Sequence, residues 1–156
     1  MRPSAPFERW PVQVSDPSYG FTWFVSPNIM VDHLTVSEGT EETVLAMHRT
    51  LDRLLAKHGP GIVASGGLRI VADWRVVQTY TPGARRAFMR EIAKGRPMAS
   101  AAVVLDGANP FLSMAVKAAD MVLAMTRGPK IELFGDLDAL LRREGLDGPK
   151  VKLQSF

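Results

Sequence analysis

Residues 69–88 read RIVADWRVVQTYTPGARRAF, and the fold follows from how that stretch divides. Leu68 to Ala72 is a short apolar run behind a pair of glycines, which predicts a strand. Thr81 and Pro82 then open a helix. The threonine hydroxyl can accept a hydrogen bond from a first-turn amide, and proline at the first helical position gives up an N–H that has no partner there anyway. That helix runs to Gly95-Arg96-Pro97. A strand delivered into a helix is half of a βαβ unit, and the chain repeats it. ASAAVVL (Ala99 to Leu105) is apolar on both sides, as central strands of parallel sheets are. Asn109-Pro110 gives the same start signal for a helix ending near Thr126 to Pro129. KIELF (Lys130 to Phe134) is a last strand, and Asp136 begins a short helix closed by Gly145.

Upstream, YGFTWFV (Tyr19 to Val25), a turn at Ser26 to Asn28 and IMVDHLTV (Ile29 to Val36) predict a hairpin, with Met30, Leu34 and Val36 opposite Val31, His33 and Thr35. Thr40 caps a helix with Glu41 and Glu42 in its first turn. Val44, Met47, His48, Leu51, Leu54 and Leu55 recur at helical spacing, and Gly59-Pro60 is the expected end. The order β, β, α, β, α, β, α, β, α predicts an α/β fold: a mixed sheet of four to five strands, antiparallel at the hairpin and parallel beyond it, with about four helices. Residues 1–18 are expected to form an irregular arm, 19–146 one domain and 147–156 a loosely held tail.

A chain of 156 residues that is 46% apolar and 22% charged suits one globular domain. The absence of cysteine excludes disulfides, thiolate metal sites and a cysteine nucleophile. Prolines and charges occupy the first residues, where a secretory signal needs an apolar run, and no apolar stretch of about 20 residues follows. A cytoplasmic location without membrane insertion is expected. The net charge of +3 arises within Pro82 to Arg96, which holds Arg85, Arg86, Arg90, Lys94 and Arg96 against Glu91 alone. General nucleic-acid binders spread cations over a face with aromatic residues between them, so no nucleic-acid partner is expected. His33, His48 and His58 are dispersed, without metal-ligand spacing. ASGGL (Ala64 to Leu68) lacks the lysine and full glycine pattern of a phosphate loop, and Ser65 lacks a nucleophile-elbow context. The sequence singles out no catalytic residue, cofactor or metal.

Candidate binding groups gather where the strand at Leu68 to Ala72 gives way to the helix: Asp73, Trp74, Arg75, Thr79, Tyr80, Thr81, Arg85 and Arg86, with Arg90 one turn further along. Arginines in a first turn are disfavoured by roughly 0.3 to 1 kcal/mol relative to acidic residues there, which points to a partner with an acidic surface. The same residues also read as structural, with Asp73 pairing to Arg75 or Arg85, Trp74 closing the core and the arginines solvated. The helix from Pro110 to Met125 is apolar beyond the stripe a sheet can bury. Its Met114, Met121 and Met125 are spaced by seven and four, beside Lys117, and suit a homodimer face or burial under neighbouring helices or the N-terminal arm.

The element order, the junction IVADWRVVQTYTPGARRAF and the ending KIELFGDLDALLRR resemble the STAS domain, the fold of bacterial anti-sigma factor antagonists, and in particular its SpoIIAA-like group, over roughly Phe21 to Glu144. The resemblance implies a non-catalytic domain that regulates a protein partner. In antagonists that switch partners, an Asp-Ser pair places a phosphorylatable serine at the start of the second helix. Asp73 matches the family's first acidic position, but Gln78-Thr79-Tyr80-Thr81 stands where that pair would be, leaving Thr79 and Thr81 as possible phosphorylation sites. The group shares its topology with lipid-binding CRAL-TRIO domains, which implies the alternative of a small apolar or lipid-like ligand between sheet and helices.

Overall fold

The computed structural model describes residues 13–26, 28–106 and 109–143. In chain order these form β1 (Gln13–Asp16), β2 (Gly20–Ser26), β3 (Ile29–Leu34), β4 (Glu38–Gly39), α1 (Glu41–Ala64), β5 (Arg69–Asp73), β6 (Thr79–Tyr80), α2 (Pro82–Ile92), β7 (Ser100–Val104), α3 (Pro110–Met125), β8 (Ile131–Phe134) and α4 (Leu137–Arg143). The main sheet has the order β1-β2-β3-β5-β7-β8, and β4 and β6 form a separate two-stranded ladder. The pairs β1–β2 and β2–β3 are antiparallel, and every later pair is parallel. The α/β class, the hairpin followed by parallel strands and the four helices are as the sequence predicts.

Each crossover steps outward in the same direction. Right-handed connections therefore lay α1, α2 and α3 on one face of the sheet. Met30 packs there with Leu51, Leu54 and Ile62, and Leu34, Ala72 and Val103 pack with Leu112, Val116 and Leu123. On the opposite face Trp23, Ile29, Val31, Val71 and Val104 pack with Leu140 of α4. With both faces covered, all six residues of β3 are buried.

Three sequence expectations need correction. The main sheet has six strands, not four to five, because Gln13–Asp16 joins its edge; the irregular arm expected over 1–18 therefore does not extend through those residues. QVSD has no apolar alternation, but an edge strand needs only backbone pairing on one side. Its turn into β2 is held by an Asx contact from the Ser18 N–H to Asp16 Oδ1 at 2.8 Å. The short β4–β6 ladder, Glu38 with Thr79 and Gly39 with Tyr80, was also unforeseen.

The third correction is the end of α1. The helix does not stop at Gly59-Pro60 but continues to Ala64, with Pro60 inside it. Interior proline costs about 3 kcal/mol, and what offsets it lies downstream. Ile62 is buried in the core, and Gly66 and Gly67 take positive φ so that their N–H groups reach Val63 O at 3.1 Å and Ile62 O at 3.0 Å. That is the Schellman closure, which satisfies carbonyls the helix leaves open. The expected N-terminal caps are all in place. Thr40 exchanges hydrogen bonds with Thr43, Thr81 Oγ1 accepts from Ala84 N at 3.1 Å, and Asn109 Oδ1 accepts from Phe111 N and Leu112 N.

Candidate functional site

Asp73 ends β5 directly beside His33 of β3, so parallel register puts both side chains on the face that α4 covers. Asp73 is fully buried. His33 Nδ1 donates to its Oδ2 at 2.9 Å, and Arg75 grips both oxygens, Nε to Oδ1 at 2.8 Å and a terminal nitrogen to Oδ2 at 2.9 Å. Burial pushes the Asp73 carboxyl up, but the hydrogen bonds from His33 and Arg75 outweigh it and hold the group at about 2. The Asp73 hydrogen bond, with further pull from Asp136 and Asp138, raises Arg75. Every strong acceptor position of Asp73 is thus engaged. The cluster fastens β3, β5 and the approach to α4, and of the two partners expected for Asp73, Arg75 is the one it has.

The other predicted residues lie elsewhere. Trp74 turns to the helix-covered face, is 9% exposed and meets Phe88 edge-on at 5.5 Å. Thr79 is exposed on β6. The Tyr80 hydroxyl donates to Phe111 O at 3.2 Å, and Asn109 Nδ2 donates to Gln78 O at 3.1 Å, which ties the ladder to the start of α3. Thr81 is occupied as the α2 cap. Helix α2 buries Ala84 and Ala87 and exposes Arg85, Arg86 and Arg90, the last reaching Glu41 at 3.7 Å. The groups expected to converge are therefore divided: Asp73 and Arg75 on the α4 face, the tryptophan in the core and the arginines along an outer helix face.

On α3, Met114, Met121 and Met125 are 60%, 72% and 84% exposed, and Phe111, at the start of the same helix, and Leu133 of β8 are exposed as well. Neighbouring helices among the described residues do not cover this row. Phe7 and Trp10, the large apolar residues of the N-terminal arm that a homodimer through this face would call on, lie outside the described residues.

Two features escaped the sequence reading. The first is an ion clasp between helices: Arg96 binds Asp52 of α1 at 2.7 and 3.0 Å and the buried Glu91 of α2 at 2.7 Å, and Lys94 binds Glu91 at 2.8 Å. The second is Asp32. It sits in mid-β3 on the helix-covered face between Met30 and Leu34, 6% exposed. The Thr22 hydroxyl donates to its Oδ1 at 2.5 Å, and Thr22 also meets the Tyr19 hydroxyl at 2.8 Å. Burial drives the Asp32 carboxyl up to about 7 against the opposing pull of Thr22. Asp32 lines a cavity of about 80 Å³ beneath α1 and α2, with Met47, Leu51, Trp74, Phe88 and Ile92. A second cavity of about 60 Å³ lies between the starts of α1, α2 and α3, walled by Val44, Val77, Tyr80 and Leu112. The signal for Asp32 was present in IMVDHL, where an acid interrupts the apolar alternation on the Met30 and Leu34 side.

Among the described residues no group of three or more His, Asp or Glu side chains is placed to hold a metal ion. No helix among them is long and apolar enough to cross a membrane. Comparison with protein-family models, with curated proteins and with solved structures finds no match.

Proposed function

We propose that the chain is a non-catalytic, STAS-like interaction domain, working in the cytoplasm, that binds a protein with an acidic surface through the outer face of α2. The observation that carries this reading is the set of exposed arginines Arg85, Arg86 and Arg90 on a helix whose other face is anchored by Ala84, Ala87 and Phe88. Arg85 and Arg86 form no ion pair among the described residues, and the 3.7 Å contact of Arg90 with Glu41 is weak and solvent-exposed. Cations held at a helix start on a rigid scaffold suit bidentate capture of carboxylates or phosphates. A lipid-like ligand between sheet and helices needs room for an acyl chain, which cavities of about 80 and 60 Å³ do not offer. Regulation by phosphorylation would act at Thr79, which is exposed, more readily than at Thr81, whose hydroxyl is bound in the cap.

Self-association is the second part of the proposal. The exposed row Met114, Met121 and Met125 offers a repackable apolar surface beside Lys117 and suits a two-fold homodimer.

Affinity capture from native-cell extract, quantified for wild type and for Arg86→Glu with Arg90→Glu, tests the first part. The acidic partner should be lost from the double variant while circular dichroism stays unchanged. Equal capture by both proteins removes α2 from the interface.

A further inference from the structure

We infer that the cavity under α1 and α2 is a binding site for a small aliphatic monoamine, its ammonium head on the Asp32 carboxylate and its hydrocarbon part among the side chains beneath the helices. The site is separate from the arginine face of α2 and does not depend on that proposal.

The argument starts from what Asp32 lacks. A carboxylate offers about four acceptor positions, and the only protein donor to Asp32 among the described residues is the Thr22 hydroxyl. The other charged groups on the cavity wall are already matched. Arg96 is held by Glu91 and Asp52, Glu91 also by Lys94, and His48 gives its Nδ1–H to Val44 O at 2.8 Å while burial disfavours its charged form. Asp32 is thus the one acid on that wall without a cation, and a buried acid in that condition stays protonated unless a counter-ion stabilises its charged form.

The rest of the wall selects the kind of cation. Met47, Leu51, Ile92 and Met98 favour hydrocarbon over a hydrated metal ion, and the rings of Trp74 and Phe88 line the same space, where aromatic faces attract ammonium groups. The volume of about 80 Å³ is near half of the roughly 150 Å³ apolar cavity that admits benzene. By that scale about three non-hydrogen atoms are enclosed, and a five-atom alkylammonium extends into the cavity's open mouth.

The test uses n-butylammonium chloride, with butan-1-ol as its uncharged counterpart and sodium chloride matching the ionic strength. Carbon-13 NMR follows the Asp32 carboxyl through a pH titration of the whole chain. Butylammonium should move its midpoint below about 7, and butan-1-ol should not. Calorimetry should show butylammonium binding weakened about tenfold or more in Asp32→Asn, the loss expected for one charge-assisted hydrogen bond. Asparagine has the same shape and can keep the Thr22 contact. An Asp32 midpoint unmoved by butylammonium overturns the inference, as does equal butylammonium affinity in wild type and Asp32→Asn. The NMR arm needs no variant and decides the matter even if Asp32→Asn fails to fold.

Discussion

Asp32 and Asp73 lie on neighbouring strands but face opposite sides of the sheet, and what meets them there moves their carboxyls in opposite directions. Asp73, gripped by His33 and Arg75, titrates at about 2 when folded against 3.8 unfolded. Its stabilising contribution, on the order of 2 kcal/mol, is complete above pH 4 and lost as pH falls through 2. Asp32 does the reverse. Its folded value of about 7 lies above the unfolded 3.8, so its contribution is complete below pH 3.8 and is lost as pH rises through 7. Urea denaturation across pH 4 to 8 should therefore show Asp32→Asn gaining on wild type by on the order of 4 kcal/mol. A stability difference that stays flat over that interval would show that Asp32 is not held protonated. Asp73 was legible in the sequence because its arginine partner lies two residues away. His33 was not, since a partner 40 positions off becomes visible only when register is known.

Helix starts were legible because a cap is local chemistry: a hydroxyl or amide, a proline and the amides of one turn. Replacing Thr81 with Ala should cost about 1 kcal/mol in chemical denaturation, the usual value for a lost cap. A larger loss, together with phosphate at Thr79 or Thr81 in the intact-protein mass from native cells, would give the segment a regulatory role as well. Helix ends proved harder. The residues Gly59-Pro60 read as a stop, yet the anchor that carries α1 onward is Ile62, and its pocket is built from Phe24, Met30 and Leu68 on other elements. A Cβ added at Gly59 or Gly61 meets nothing within 4 Å, and neither glycine has positive φ. Gly61→Ala should raise stability by about 0.5 to 1 kcal/mol. Destabilisation by it would mean that the helix does end there.

At the scale of the whole molecule the open question is what covers α3. A stable dimer buries on the order of 800 Å² per partner, more than one helix face supplies, so the proposed interface must continue onto Phe111, Leu133 or the N-terminal segment. Light scattering at high micromolar concentration should give twice the mass of 17.1 kDa, and Met121→Glu should return it to that value. A dimer indifferent to Met121→Glu places the contact elsewhere. The class of fold was legible because strand and helix alternation is written in periodicity. The sixth strand was not, because pairing at an edge asks little of side chains. One property of the sheet reaches beyond its final form. In the order β1-β2-β3-β5-β7-β8 every strand pairs with the main-sheet strand that precedes it in the chain. No strand must wait for a later one to be inserted between itself and its neighbour. As the polypeptide leaves the ribosome, each new strand meets an edge already made, so the sheet can grow by addition during synthesis, and the connection closed at each parallel step carries a single α-helix.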